Sequence, residues 1–561
     1  MTVGDAIVRC LAAEDVSFAF GIASGKLAPL FEALSRQQSV RFIGVRHEAA
    51  AAHMAAGVFA GTGRIAVALG ELGPGGGNLT TGIACAYADN LPMLAITSSN
   101  ALHLSEPARG MLMELDLVNL FRPITKFSQR IHDPARVPEV LHKAFREALS
   151  GRPGPVHVSI PADMLGLSLP FTKDHFPSPA RYRSLSRQPA APDDSTRAAQ
   201  MLRNARRPLL IAGGGVVTSG AAAEFLALAE ALHAPAMATQ MGIGAVPTGH
   251  LAHIGHGGVI GGTAINRAIA EADVILAVGC RFSSWMWHGT GPGFAPDAAL
   301  IHVDIDPAMI GMVTPVALGI VADARAALGA ISDALPQQEP VADVAGWRDG
   351  LRAEWKQYQG AMDSGTPLWG EGGIHPAHLS RALAGLLPDD SLVVYDGGHT
   401  TFWSNDILPV HDVRQRFHEP GMGQLGFGTP YALALKASNP EKLVVNVCGD
   451  GSFGFTLQEL DTARRNGLNI IVVIHNNAAW GVIRAGQAKA GFEFATELEG
   501  TDYAAIARGF GCHGEVVTEL DDFAPAFGRA LASGLPAVLD CRTAYVPHPS
   551  MSRFAAMGRV A

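Results

Sequence analysis

Short runs of apolar, often β-branched residues recur along this chain. A glycine-rich turn follows each run, and then an alanine-rich stretch of helical character. This alternation constrains the fold more than any other feature. Parallel strands need long crossover connections, and the helices in those crossovers cover both faces of the sheet. The pattern predicts an α/β chain of three doubly wound parallel sheets. In the first segment it predicts buried strands over 40–45, 64–70 and 92–98. In the second it predicts them over 208–212, 274–279 and 300–304, and in the third over 392–395, 443–447 and 470–474. A Pro-, Ser- and Arg-rich stretch over 170–194 and a polar stretch over 337–373 read as linkers. The implied domains are 1–170, 190–337 and 370–545, followed by a tail over 546–561. A chain of 561 residues is long enough for this, since domains hold roughly 150 residues each.

Bulk properties exclude several classes. Apolar residues make up 48% of the chain and charged residues 17%, so large cores and buried subunit contacts can form. No run approaches the ~20 apolar residues of a membrane span. The opening residues include acids and lack a basic segment before an apolar core, so they read as a first helix and not as a signal peptide. The six cysteines show no zinc spacing, and reduced thiols in a cytoplasm are the expectation. A net charge of −9 with no basic stripe argues against nucleic acid.

The most informative stretch is 443–481. An apolar run leads into Gly449-Asp450-Gly451-Ser452. Leu457, Leu460 and Ala463 mark a helix face, Gly467 fits its stop, and a second apolar run ends in Asn476-Asn477. This is a βαβ unit, in which ligands bind beyond the carboxyl ends of the strands. Asp450 and Asn477 both fall there. Their oxygens suit Mg²⁺, which prefers hard ligands shared with phosphate. The glycines let backbone approach an anion at a helix start. Taken singly, a Gly-Asp-Gly turn or an Asn-Asn pair is an ordinary turn or strand cap.

The two halves at this spacing resemble the signature of thiamine-diphosphate-dependent enzymes. That resemblance implies metal ligands at Asp450, the Asn477 side chain and the Ala479 carbonyl, and diphosphate contacts at Gly451 and Ser452. Arg46-His47-Glu48 opens an alanine-rich stretch and resembles the family's R-H-E-x-x-A motif. It implies Glu48 as the catalytic acid that hydrogen-bonds the aminopyrimidine ring, a role suited to a carboxyl in an apolar pocket. Gly73-Pro74-Gly75-Gly76-Gly77-Asn78 resembles the loop bordering the pyrimidine, with Leu72 where serine is usual. This brings in Pro74 and Asn78. The segment from Gly421 to Gly428 resembles the loop at the bend of the cofactor. There the Gly423 carbonyl accepts from the amino group, and Leu425 wedges the two rings apart. Gly398, His399 and Thr400 match a further diphosphate contact.

The resemblance spans nearly the whole chain in the order pyrimidine, central and diphosphate domains. It is to the branch of acetohydroxyacid synthases, benzaldehyde lyases and oxalyl-CoA decarboxylases. A homodimer or homotetramer is implied, because Glu48 and Asp450 in this family serve one cofactor from different subunits. In the central segment Arg207–Gly215, Gly279-Cys280-Arg281-Phe282 and 302–307 match a nucleotide-contacting domain. FAD, ADP or CoA, and an empty domain all stay open, since Ser283-Ser284-Trp285 stands where synthases have Asp-Asp-Arg. The expected reaction is decarboxylation and carboligation of a 2-oxo acid, as in acetolactate synthases. The alternatives are C–C lyase chemistry on a 2-hydroxyacyl-CoA, oxalyl-CoA or acyloin, and a non-catalytic regulator that keeps the fold. Intact Glu48, Asp450 and Asn477 argue against the regulator. Leu112-Met113-Glu114 replaces the synthases' Phe-Gln-Glu, and Gly486 stands where they have an acceptor-selecting tryptophan. Lys26, Met113, Val482 and Ile483 are the expected substrate-pocket residues, with Lys26 facing the entrance and meeting a carboxylate.

Overall fold

The computed structural model describes residues 1–107, 109–258, 261–286, 293–337, 342–364, 369–370 and 372–550. Three six-stranded parallel sheets run in chain order, as the alternation predicts. The first contains β1 (Phe18–Gly21), β2 (Arg41–Gly44), β3 (Val67–Gly70), β4 (Leu94–Ser99), β5 (Phe127–Arg130) and β6 (Val156–Pro161), in the order β2-β1-β3-β4-β6-β5. The second contains β7 (Pro208–Ala212), β8 (Ala236–Ala238), β9 (His253–His256), β10 (Val274–Val278), β11 (Ala299–Asp304) and β12 (Leu318–Val321), ordered β12-β11-β10-β7-β8-β9. Read from its other edge, that is the 3-2-1-4-5-6 order of dinucleotide-binding sheets. A short antiparallel pair, β13 (Trp369–Gly370) and β14 (Gly373–Ile374), precedes the third sheet. That sheet contains β15 (Leu392–Asp396), β16 (Arg416–Phe417), β17 (Val444–Gly449), β18 (Ile471–Asn476), β19 (His513–Val517) and β20 (Ala537–Arg542), ordered β16-β15-β17-β18-β20-β19. The first and third sheets therefore share one topology.

Their inner strands are buried from end to end, which is why they read as continuous apolar runs and not as alternating ones. The apolar core of the first sheet runs on into the third. Helix Glu48–Thr62 packs against helix Gly428–Ser438 through small residues. A side chain at Gly57 would lie 3.2 Å from the Ala434 methyl and 3.3 Å from the Tyr431 Cα, so the helices meet at backbone distance. The central sheet has a separate cluster on each face.

Three readings need correction. The stretch 337–373 is largely a helix, Val344–Ser364, not a polar linker. Its Val344, Leu351, Trp355 and Met362 are buried, four apolar anchors diluted among polar residues. Helix Pro192–Asn204 likewise begins inside the stretch read as the first linker. The glycine-rich segment from Gly73 to Asn78 is not a loop but the kinked start of helix Leu72–Ala88, bent at Gly73. Parts of the second linker, and residues 551–561 of the tail, lie outside the described residues. The tail's beginning is anchored: His548 Nε2 lies 3.3 Å from Asp406 Oδ2, and both side chains are fully buried.

Candidate active site

The expected site residues fall at the carboxyl ends of corresponding strands in the first and third sheets. In the first sheet, Lys26 follows β1 and Glu48 follows β2. The segment Gly73–Asn78 follows β3, and Asn100 follows β4. In the third sheet, Gly398, His399 and Thr400 follow β15, and the Gly421–Gly428 segment follows β16. Asp450, Gly451 and Ser452 follow β17, and Asn477, Ala479 and Val482 follow β18.

Glu48 is the first residue of its helix and is buried, 9% exposed. Asn78 Nδ2 donates to its Oε2 at 3.0 Å, so two residues chosen separately from sequence meet. Gly75 packs closely beside the other oxygen; a Cβ there would stand 3.2 Å from Oε1. The turn ahead of Glu48 is fixed from the third domain. Glu459, also buried, accepts the N–H groups of Arg46 and His47 at 3.1 Å. Burial pushes the Glu459 carboxyl up to about 7, against the opposing hydrogen bonds from Thr462 and those two amides.

Asp450 and Asn477 sit just beyond the paired ends of β17 and β18, where Gly449 lies opposite His475. Asp450 is buried, and desolvation raises its carboxyl to about 6 although surrounding N–H groups oppose the shift. Its Oδ2 is buried without a hydrogen-bond partner, and its backbone carbonyl accepts from the Tyr503 hydroxyl at 3.0 Å. The Asn477 side-chain oxygen accepts from Ala479 N at 3.1 Å. Ala478 between them is left-handed, at φ 51°, which turns the loop back toward Asp450. The Asp450 carboxylate also accepts N–H groups of Ala478 and Ala479, which sets it against the Asn477–Ala479 turn, and its unpartnered buried oxygen is a donor suited to a hard cation.

The diphosphate-side residues crowd around this turn. Ser452 Oγ donates to the Gly449 carbonyl at 3.0 Å and accepts Gly449 N–H at 3.1 Å. Gly451 lies against the Trp480 ring, where a Cβ would come within 2.5 Å. His399 lies over Tyr545, with ring centroids 5.6 Å apart, and burial lowers it to about 4, so it is neutral at pH 7. Thr400 is buried. The Gly421–Gly428 segment is held from beneath. Asp396 accepts Gly426 N–H at 3.0 Å and Gly428 N–H at 2.8 Å, and burial raises its carboxyl to about 7. Gly423 is exposed and left-handed, at φ 63°, and Leu425 is half-buried.

The substrate-side residues divide. Lys26 is half-buried, and its Nζ donates to Asn100 Oδ1 at 2.8 Å while its backbone N–H donates to Glu71 Oε1 at 3.0 Å. Asn100 Nδ2 reaches the Leu112 carbonyl at 3.4 Å, and the Met113 backbone packs on Gly73. Lys26, Asn100, Met113 and the kink at Gly73 therefore form one group. The expected partner of Lys26 is a substrate carboxylate; within the chain its ammonium rests on the neutral amide of Asn100. Val482 packs on Gly398 and Phe402, and Ile483 is 56% exposed. Sequence reasoning missed Asn100, Asp396 and Glu459. Asp396 did carry a signal, an acid at the end of an apolar run just before Gly397-Gly398.

Among the described residues, no hydrogen bond or ion pair joins the Glu48 group to the Asp450 group. The central sheet adds a cleft of about 1060 Å³, lined by Gly214, Gly215, Arg281 and Asp304 on one side and by His418 and Tyr431 on the other. It opens where β7 and β10 part, the point at which strand order reverses.

Comparison with known proteins gives a consistent picture. Residues 1–120 match the thiamine pyrophosphate enzyme N-terminal TPP binding domain, 195–331 match the central domain, and 396–541 match the C-terminal TPP binding domain. A probable acetolactate synthase large subunit of Methanocaldococcus jannaschii is 32% identical over 552 residues, covering 96% of this chain and 91% of that protein. The acetolactate synthase large subunit of Corynebacterium glutamicum is 32% identical over 96% of this chain and 86% of its own length. The Escherichia coli isozyme 3 large subunit is 33% identical over 86% of this chain and 83% of its own.

Proposed function

The chain belongs to the thiamine pyrophosphate enzymes, and from that premise we propose a decarboxylase and carboligase of 2-oxo acids, acetolactate-synthase-like, with Mg²⁺ holding the cofactor. The observation that carries the metal reading is the buried, unpartnered Asp450 Oδ2 facing the Asn477–Ala479 turn. Asp450, the Asn477 side chain and the Ala479 carbonyl are the proposed ligands, with Gly451, Ser452, Gly398, His399 and Thr400 around the diphosphate. Thiamine diphosphate supplies the carbanion and the electron sink for cleaving or forming a bond next to a carbonyl.

The protein's own part is to hold, orient and move protons. Glu48, buried and steadied by Asn78, would exchange a proton with the pyrimidine ring through its carboxyl. The Gly423 carbonyl and Leu425 would hold the middle of the cofactor from a loop that Asp396 anchors. Lys26, poised on Asn100, offers positive charge to an anionic substrate, with Met113 and Val482 shaping the walls. Each half-site is assembled at its own sheet edge, and among the described residues no hydrogen bond joins Glu48 or Asn78 to Asp450, Ser452 or Asn477, although Glu459 and the His53–Glu419 pair tie the two frameworks together. This supports a homodimer or homotetramer in which two subunits complete each site.

A lyase acting on a hydroxyacyl-CoA, oxalyl-CoA or acyloin is the second reading, favoured by Met113 in place of the synthases' glutamine. Turnover of purified protein on 2-oxo acids, acyloins and acyl-CoA thioesters decides between them. Acetolactate formed from pyruvate supports the first, and turnover restricted to acyloins or thioesters supports the second. The central cleft is proposed to hold FAD, because its volume lies just above the roughly 300–1,000 Å³ range of small-molecule sites and leaves room for a large dinucleotide. A flavin spectrum released on denaturation tests this. The six buried free thiols fit a reducing cytoplasm, and among the described residues no helix is long and apolar enough to cross a membrane.

A further inference from the structure

Away from the cofactor, three metal-ligating side chains from distant parts of the chain converge in the core. His53 comes from helix Glu48–Thr62, Cys85 from helix Leu72–Ala88, and Glu419 from the segment after β16. All three are buried, and one ligand atom of each lies within 4.8 Å of the other two. His53 Nδ1 and Glu419 Oε1 are 3.2 Å apart. Ligand atoms around a tetrahedral zinc with bonds of about 2.0–2.3 Å stand roughly 3.3–3.8 Å apart, so only a small rotation of Cys85 separates this arrangement from that geometry.

Two further observations point to a cation. Glu419 Oε1 meets His53 while Oε2 has no partner of good hydrogen-bond geometry, although the Cys85 thiol and the Tyr431 hydroxyl stand close enough to be raised by the carboxylate. Asp89, a second buried carboxylate, stands in the same region. The guanidinium facing it is that of Arg281, whose Nη2 lies 3.7 Å from Asp89 Oδ1. Buried carboxylates are ordinarily paired or bound to metal; here Glu419 has His53 and Asp89 has Arg281 as its charged neighbour, and the two carboxylates repel one another. The donor set decides the kind of metal. Imidazole and thiolate with one carboxylate select a zinc-like ion over Mg²⁺. The central cleft supplies a route, since Asp89, Arg281, Gly421 and Tyr431 line it.

We propose that His53, Cys85 and Glu419 form a second metal site, distinct from the Asp450 site, that takes Zn²⁺ or a cation of similar softness. Binding displaces the Cys85 thiol proton to solvent. Thiolate, carboxylate and dication then sum to zero charge in the core. The ion would tie the helix that begins with Glu48, and the helix that begins at the Gly73 kink, to the root of the Gly421–Gly428 loop. Its role is therefore structural, joining the pyrimidine-side and diphosphate-side frameworks of one subunit.

The test uses the whole enzyme, freed of transition metal by chelation and then saturated with Mg²⁺ and thiamine diphosphate. It is titrated with Co²⁺ as a spectroscopic stand-in and, separately, with Zn²⁺. The expected result is a near-ultraviolet sulfur-to-cobalt charge-transfer band, one tightly held zinc per chain and a raised melting temperature. The band is lost in Cys85→Ser and His53→Gln and kept in Asp450→Ala. Absence of the band in folded wild-type protein overturns the proposal, even if a variant fails to fold. A band that survives Cys85→Ser overturns it too, since another of the six cysteines would then be the ligand.

Discussion

At the scale of single residues, the site turns on two carboxyls with different tasks. Asp450→Ala is expected to abolish metal-dependent cofactor binding, measured by calorimetry, because it removes the charged ligand from an ion that keeps strict geometry. Proton and metal compete for that carboxylate. With Asp450 raised to about 6, affinity for the metal-bound cofactor is full above that pH and falls as pH drops through it. Without metal the sign reverses. A folded-state value above the ordinary 3.8 means that Asp450 stabilises the fold when protonated and loses that contribution as pH rises through about 6. Chelator-treated wild type should therefore lose stability relative to Asp450→Asn as pH rises from 3.8 to about 6. Glu48→Gln should keep the cofactor and lose about 10²–10⁴-fold in kcat, the usual contribution of a positioned acid–base group. Near-normal turnover would show that another residue serves the ring. Asp450, Asn477 and Glu48 were picked out in sequence because each follows an apolar run in a short, chemically specific pattern, and Asn78 because it closes a glycine-rich stretch that proves to be a helix start. Asn100 was not. It is one polar residue after a fully buried strand, and only folding brings it to Lys26.

At the scale of elements, the position of Glu48 depends on a helix from another domain. Glu459→Ala leaves the Arg46 and His47 amides without their buried acceptor, at a cost of about 1–3 kcal/mol in the stability of that contact. Since His47 caps the helix that starts with Glu48, kcat should fall together with melting temperature. Glu459→Gln, which keeps an acceptor oxygen, should recover part of both. Unchanged kcat in a destabilised Glu459→Ala would separate the anchor from the chemistry. The nine strands foreseen from apolar runs are all present within a few residues of their expected ends. The edge strands β5, β12, β16 and β19 were not foreseen, being short or mixed in burial and so lacking a continuous run. Helix Val344–Ser364 was missed for a related reason. Its few buried residues are spread through a polar sequence, with Val344, Leu351 and Trp355 packing on the central domain and Met362 on Ala377 and Trp403 of the third.

At the scale of the whole molecule, the prediction concerns assembly. A preparation that mixes inactive Glu48→Gln and Asp450→Ala subunits should regain part of the activity, because a hybrid dimer holds one site with both residues intact. Full activity from a stable monomer in sedimentation would refute shared sites. What no reading of local pattern could reach is the correspondence of the first and third sheets. Their strand orders match one for one, so each position beyond a strand end has a counterpart in the other domain. The residue just past β17 is Asp450, and the residue just past β3 is Glu71. Both addresses hold an acid, but the tenants differ in occupation. Glu71 spends its oxygen on the backbone of Lys26, within its own domain, while Asp450 keeps one oxygen vacant. An engineer who wished to move the ion to the other half of the molecule would find the scaffold already surveyed. The obstacle lies in the neighbours: β4 is followed by Asn100, already engaged with Lys26, where β18 is followed by the turn of Asn477.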